Sequence, residues 1–134
     1  MSKGIKVSSR KGKSRGLQQW VANKIAELTG FVAGKDCDIE SRPMGQTGPD
    51  VRLSPSVLEY FPFTVECKRQ ETKSIPYKWI EQAKANLIPD TAWLLVVRRN
   101  REKAMVILDA EAFFDILDKS ELFVVKKHPL RRTK

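Results

Sequence analysis

The chain has 134 residues, of which 41% are hydrophobic, and this suits one domain with a single core. Its 25 lysines and arginines against 16 acids give a net charge of +9 and a pI near 9.8, which favours nucleic acid as a partner and an anionic membrane surface as second choice. No apolar run is long enough for a membrane span, and the basic N-terminus lacks the apolar core of a signal peptide. Two cysteines and one histidine are too few for a disulfide framework or a structural zinc site. We therefore expect a soluble, intracellular protein with reduced thiols.

Basic residues dominate both ends of the chain. Residues 1–15 carry lysines and arginines among serines and glycines, and residues 126–134 are again mostly basic. We expect a flexible arm at 1–15 and a tail at 126–134, both able to lie along phosphates when nucleic acid is bound. Residues 16–125 then form the single domain.

Hydrophobic spacing predicts the first elements. Apolar residues from Leu17 to Thr29 recur at helical intervals, and Gly30 fits a C-terminal cap. A strand is predicted at 36–42. Residues 43–49 are rich in glycine and proline and form either an ordinary connector or a loop that approaches a phosphate.

Residues 51–68 are predicted to form a β-hairpin. Residues 51–53 are strand-like, and 63–68 alternate between apolar and polar side chains as a half-buried strand does. Residues 54–62 are the hairpin tip or a short helical insert.

The second half continues with a helix at 77–87, ended by Pro89, and a continuously apolar strand at 91–97. A strand at 104–108, a helix capped by Asp109 and a short edge strand at 122–125 follow. The order of helix, three strands, helix, two strands and helix predicts an α/β protein with a mixed β-sheet flanked by helices.

Three charged residues are expected to converge. Glu66 and Lys68 lie two apart on one strand and share a face, and the hairpin would bring Asp50 beside them. Two carboxylates and an amine form a site for a hard divalent cation such as Mg²⁺ or Mn²⁺, to which the Cys67 carbonyl adds a further oxygen. The alternative is that Glu66 and Lys68 are an ordinary solvent-facing pair.

A metal held in this way suits phosphodiester hydrolysis. The ion would activate a water and neutralise charge on the transition state. Lys68 would stabilise that charge or position the water. The predicted catalytic residues are therefore Asp50, Glu66 and Lys68, and the predicted metal ligands are Asp50, Glu66 and the main chain of Cys67.

The pattern Pro49-Asp50 followed by Glu66-Cys67-Lys68 resembles the PD-(D/E)xK nuclease superfamily. The resemblance covers residues 16–108 and implies an αβββαβ restriction-endonuclease-like core. Within the superfamily, the 44–46 loop and the 66–71 and 79–82 segments are similar to small phage-type nucleases, Holliday-junction resolvases and VRR-NUC modules. The cytoplasm of a bacterial host would be the location if the chain is phage-encoded.

The resemblance also implies roles for residues beyond the motif. It assigns Gln82, on the helix after the lysine strand, to steadying the active site or contacting DNA. Many members place a glutamate on the first helix, where this chain has Gln18 and Gln19. A single-metal site and help from Asp38 therefore both stay open.

We expect the surface around the acidic site to bind DNA phosphates, and such contacts carry no information on base sequence. No base-contacting motif is visible, so any selectivity would be for DNA shape, such as branched DNA or Holliday junctions. Junction cleavage would require a homodimer through the edge strand, the first helix or the helix with Phe113 and Phe114. The predicted DNA-binding residues are Arg42, Gln46, Arg52, Arg69, Lys73, Lys78, Arg98, Arg99 and Arg101.

Two other classes of function compete with a DNA endonuclease. One is a non-catalytic nucleic-acid-binding protein on a degenerate nuclease fold, favoured by the missing first-helix glutamate. The other is a small basic protein that docks on an acidic protein or membrane, which would show no preference for DNA over another polyanion.

Overall fold

The computed structural model describes residues 7–42, 47–69, 71 and 74–119, with side chains from residue 15 onward. Its five strands form one mixed sheet in the order β1-β2-β3-β4-β5. Strands β3 and β4 are parallel and all other neighbours are antiparallel, so the predicted α/β class is confirmed. The elements are α1 (Val7–Thr29), β1 (Ile39–Ser41), β2 (Val51–Leu53), α2 (Pro55–Leu58), β3 (Phe63–Arg69), α3 (Tyr77–Ala85), β4 (Ala92–Arg98), β5 (Met105–Leu108) and α4 (Ala110–Lys119).

Helices α1 and α3 cover opposite faces of the sheet. Val65 and Cys67 of β3 are buried in one cluster with the apolar side of α1. On the other face, Leu95 and Val97 of β4 pack against Trp79 of α3. Since side chains alternate along a strand, the even-numbered residues of β3 face α3.

Helix α1 is longer than the sequence predicts. It begins at Val7, so the predicted flexible arm at 1–15 is helical from residue 7 onward. It ends as predicted: Gly30 has a φ of +83°, and its N–H donates to the Ala26 carbonyl at 2.8 Å. At 1.5 Å per residue, its 23 residues span about 35 Å, more than the roughly 23 Å of the longest strands.

The segment that follows α1 is tied to the first strand of the sheet. Just after the helix, the Val32 carbonyl accepts from the Ile39 N–H at 3.2 Å, so α1 ends close to the start of β1. Strands β1 and β3 run the same way because both are antiparallel to β2.

The buried face of α1 leaves out two of the large apolar residues in the helix predicted from Leu17 to Thr29. Trp20 is 43% exposed and Leu28 is 73% exposed. A helix turns 100° per residue, so Trp20 falls at the margin of the buried face and Leu28 lies in the last turn. Gln18 is buried instead, together with the apolar residues Leu17, Val21, Ala22 and Ile25.

The remaining elements follow the sequence with shifted ends. Strand β1 is limited to three residues of the predicted 36–42. The Asp109 carboxylate accepts from the Glu111 N–H at 2.8 Å at the start of α4, as expected of a cap. None of the described residues of α4 is buried. The strand predicted at 122–125 and the tail at 126–134 lie outside the described residues, and no helix in the described ranges is long and apolar enough to cross a membrane.

We expect Leu95→Ala to test the packing of α3 on the sheet. Leu95 is a residue of β4 that is completely buried against α3, so its truncation should lower the free energy of unfolding by about 2–5 kcal/mol in urea titrations. Leu28→Ala is the matched control, because this leucine is exposed, and its effect should stay within about 0.5 kcal/mol. Equal effects of the two changes would contradict the described core.

Candidate functional site

Asp50 is fixed at the point where β2 leaves β3. A turn with Gly48 at φ +98°, a value that favours glycine, leads into it. The Asp50 carbonyl accepts from the Arg42 N–H at 2.8 Å, and the Asp50 N–H donates to the Val65 carbonyl at 3.0 Å. Its side-chain Oδ2 accepts from the Cys67 N–H at 2.8 Å, so the carboxylate lies against the middle of β3.

Glu66 and Lys68 complete a charged cluster with Asp50. Glu66 is only 2% exposed, on the face of β3 that is turned toward α3, and its carboxyl group interacts with that of Asp50. The Lys68 ammonium lies 3.6 Å from Glu66 Oε1. The structure thus brings together the three residues that the sequence singles out.

Helix α3 adds two amide side chains to this cluster. Lys68 Nζ donates to Gln82 Oε1 at 2.7 Å, so Gln82 holds the ammonium group from α3, the helix that covers this face of the sheet. One turn further along α3, the Asn86 amide interacts with Glu66 and favours its ionised form. Sequence analysis missed Asn86, although its spacing of four from Gln82 places both on one face of a helix.

Cys67 contributes its main chain rather than its thiol. The Val65 carbonyl and the Cys67 N–H both point toward Asp50, and residues two apart on a strand direct their main-chain groups to the same side. The Cys67 carbonyl therefore faces the Asp50 side of β3. Burial raises the pKa of the Cys67 thiol well above its usual range, so the thiol stays neutral.

Burial dominates the electrostatics of the two acids. Desolvation and the Asp50 charge raise the pKa of Glu66 to about 7, against the opposing effects of Lys68 and Asn86. Desolvation also raises the pKa of Asp50, although the Cys67 N–H and Lys68 act in the opposite direction. The Lys68 ammonium thus compensates only part of the cost of ionising these two neighbouring acids. A cation bound between them would lower that cost further.

Two of the possible helpers lie away from the cluster. The Asp38 carbonyl accepts from the Ser54 N–H, at the far end of the β1–β2 ladder. Four residues, roughly 13 Å, separate Asp38 from Arg42, which pairs with Asp50. Gln19 is exposed and lines a different pocket of about 450 Å³ between α1 and β1. Neither residue is therefore positioned to assist Asp50.

Gln18 is buried in α1 with only 3% of its surface exposed. Its Oε1 accepts no hydrogen bond from any described residue. Across the ranges that the structure describes, no three His, Cys, Asp or Glu side chains gather closely enough to hold a metal ion.

Most of the predicted DNA-binding arginines have partners within the protein. Arg52 bonds to Glu40 Oε1 at 3.1 Å and to the Cys37 carbonyl at 2.6 Å, and Arg42 bonds to the Thr47 carbonyl at 3.2 Å. Arg69, Arg98 and Arg99 bond within the loops that follow β3 and β4. Lys78 and Arg101 are exposed, whereas Gln46 and Lys73 lie outside the described residues.

Comparison of the chain with protein-family models, curated proteins and solved structures returned no significant match.

The raised pKa of Glu66 predicts that, in chelating buffer, stability falls as the pH rises. The folded state holds the proton more tightly than the unfolded chain, so this contribution is fully present below pH 4.5 and is lost as the pH passes through about 7. Relative to Glu66→Gln, the wild type should lose roughly 2–3 kcal/mol between pH 4.5 and 8 in urea titrations. Exposed Glu59→Gln should keep the wild-type profile, and a flat difference between wild type and Glu66→Gln would refute the assignment.

Proposed function

We propose that this protein is a divalent-metal-dependent DNA endonuclease of the PD-(D/E)xK type. The observation that carries the proposal is the position of the Asp50 carboxylate, which accepts from the Cys67 N–H at 2.8 Å beside buried Glu66, with the Lys68 ammonium 3.6 Å from Glu66. A buried acid pair beside an amine is costly to maintain, and pairs of this kind concentrate at functional sites.

The order of elements supports the same proposal. Helix α1, the antiparallel strands β1 to β3, helix α3 and the parallel strand β4 follow the αβββαβ sequence of a restriction-endonuclease-like core. Asp50 lies directly before β2 and the Glu66-Cys67-Lys68 triplet lies on β3, which supports the proposal. Short helix α2 is an insertion between β2 and β3.

The donor set fits a Mg²⁺ or Mn²⁺ ion. Asp50 and Glu66 would hold it, with the Cys67 carbonyl as a neutral ligand, since Mg²⁺ is commonly bound by one or two carboxylates together with waters and substrate phosphate. When bound, such an ion supplies a more acidic water and neutralises charge on the phosphate. The raised pKa values of both acids support this fit, because a cation favours both ionised forms.

Lys68 is the proposed residue that stabilises charge on the phosphate, and its hydrogen-bond partners position it. The ammonium group is fixed between Glu66 and the Gln82 amide oxygen, so it is oriented before a substrate arrives. In this position it stabilises negative charge that develops on the scissile phosphate. Gln82 acts as a positioning residue, because it contacts Lys68 rather than the substrate in this structure.

The proposed substrate is branched or duplex DNA. A net charge of +9 favours the polyanion, and contacts to phosphate carry no sequence information, so selectivity would come from DNA shape. Cleavage of a four-way junction on two strands requires two active sites, hence a homodimer. The exposed aromatic residues Phe113 and Phe114 of α4 offer one apolar surface for such an interface.

A non-catalytic DNA-binding protein is the second candidate. It is favoured by a buried glutamine, Gln18, on the helix where the superfamily often has a glutamate. This candidate retains the basic surface and the fold but cleaves no DNA.

Cleavage of single-stranded, duplex, flap and four-way DNA, with and without Mg²⁺ or Mn²⁺, tests the two candidates. We expect metal-dependent cutting of branched or duplex DNA that falls at least 100-fold in Asp50→Asn, Glu66→Gln and Lys68→Met, because each change removes a ligand or the cation beside the phosphate. Exposed Glu59→Gln should cut normally. Salt-sensitive binding without cutting of any substrate would favour the second candidate.

Metal binding is expected without DNA and can be measured by calorimetric titration with Mn²⁺. Asp50→Asn and Glu66→Gln should each weaken binding at least tenfold, since each replaces a charged oxygen ligand with a neutral one. Metal binding should also release protons near pH 7, because the folded state holds a proton at Glu66 before the ion enters. Unchanged affinity in both variants would place any bound ion elsewhere.

A further inference from the structure

Two arginines stand side by side where the parallel strands end. Arg69 of β3 and Arg98 of β4 are direct partners in the β3–β4 ladder, and adjacent strands lie about 4.8 Å apart. Partner residues project on the same face of a sheet, so the two arginine side chains leave the end of the ladder side by side. Like charges at such positions are destabilising unless an anion lies between them.

Neither guanidinium group has a carboxylate partner in the described part of the chain. Arg69 Nη2 donates to Asn100 Oδ1 at 2.9 Å, and Arg69 Nε is buried and bonds to none of the described residues. Arg98 Nε donates to the main-chain carbonyl of Glu102 at 3.0 Å. Among the described residues, the Nη groups of Arg98 and the Nη1 group of Arg69 have no hydrogen-bond partner and are left for a ligand.

Two acids on the segments after β3 and β4, Glu71 and Glu102, bond to other residues. Glu102 forms an ion pair with Arg99 at 2.9 Å. Glu71 Oε1 accepts from the Asn100 N–H at 2.9 Å, which ties the segment after β3 to the turn after β4. These contacts hold the turn in place, and neither acid forms an ion pair with Arg69 or Arg98 in the described part of the chain.

We propose that Arg69 and Arg98 bind one phosphate group of a nucleic acid. Guanidinium groups match phosphate oxygens with paired N–H donors, and the anion would relieve the repulsion between the two arginines. The site deepens the proposed function and rests on it for the identity of the polyanion. It distinguishes Arg69 and Arg98 from Arg52 and Arg99, whose charges are balanced by glutamates.

This phosphate is distinct from the one beside Lys68. Arg69 follows Lys68 directly, so the two side chains leave β3 on opposite faces. The pair thus holds a second phosphate around the end of the sheet, at the carboxyl ends of two parallel strands, where open α/β sheets commonly bind ligands. The phosphate belongs either to the interior of a strand or to a 5′ end.

The first test uses inorganic phosphate and the whole protein in chelating buffer. Titration followed by NMR should shift the Nε–H resonances of Arg69 and Arg98 along one binding curve. Arg69→Gln and Arg98→Gln should each weaken this binding at least tenfold, whereas Lys103→Gln, which removes an exposed charge from the same turn, should not. Unmoved resonances in the wild type would overturn the proposal whether or not the variants fold.

The second test uses short DNA duplexes, again without metal. The double variant Arg69→Gln/Arg98→Gln should bind more weakly and lower the slope of log affinity against log salt by about 0.9, the value for one lost phosphate contact. A loss confined to 5′-phosphorylated DNA assigns the site to strand ends, and an equal loss with 5′-hydroxyl DNA assigns it to the interior. A slope equal to that of Lys24→Gln/Lys103→Gln would overturn the proposal.

The two proposals fail in different ways. If the arginine pair binds phosphate but no substrate is cut, the endonuclease assignment fails and the phosphate site stands. If DNA is cut normally while the double variant binds phosphate as the wild type does, the reverse holds. Arg69→Lys separates charge from geometry, since lysine keeps the charge but loses the Nε donor, and it should restore less than half of the lost binding free energy.

Discussion

The hydrogen bond between the Asp50 carboxylate and the Cys67 N–H is the contact on which the site depends. It joins the residue just before β2 to the middle of β3, next to the paired residues Val51 and Val65. The main chain of Asp50 donates to the Val65 carbonyl, and its side chain accepts from the Cys67 N–H, so both groups of Asp50 are tied to β3. These two bonds keep the Asp50 carboxylate beside the strand that carries Glu66 and Lys68.

The protein maintains this cluster at an energetic cost. Glu66 is buried with Asp50 as a neighbour, and burial works against the charge of both acids. The compensating groups come from elements that the core holds rigidly: Lys68 from the central strand, and Gln82 and Asn86 from a helix anchored by Trp79. The rigid packing of α3 is therefore as important for the geometry of the cluster as the charged residues themselves.

The sequence predicts well whatever depends on local alternation, and poorly whatever depends on how elements meet. Alternation along 63–68 correctly places Glu66 and Lys68 on one face, and glycine correctly ends α1 at Gly30. The burial of Gln18 and the exposure of Trp20 depend on how α1 lies across the sheet, which its own spacing does not fix. Likewise, the partners of Arg69 and Arg52 come from distant parts of the chain, so composition alone treats all arginines alike.

The parallel pairing of β3 with β4 has a consequence for the order of folding. Asp50 and Glu66 are joined by a short connection through α2, so the loop that brings them together closes at low entropic cost. The β3–α3–β4 crossover spans more of the chain and is slower to form. We therefore expect the two acids to approach each other early, while still hydrated, and to lose water only when the crossover docks. The electrostatic cost of burying the two acids then arises late in folding, at the folding transition state or after it.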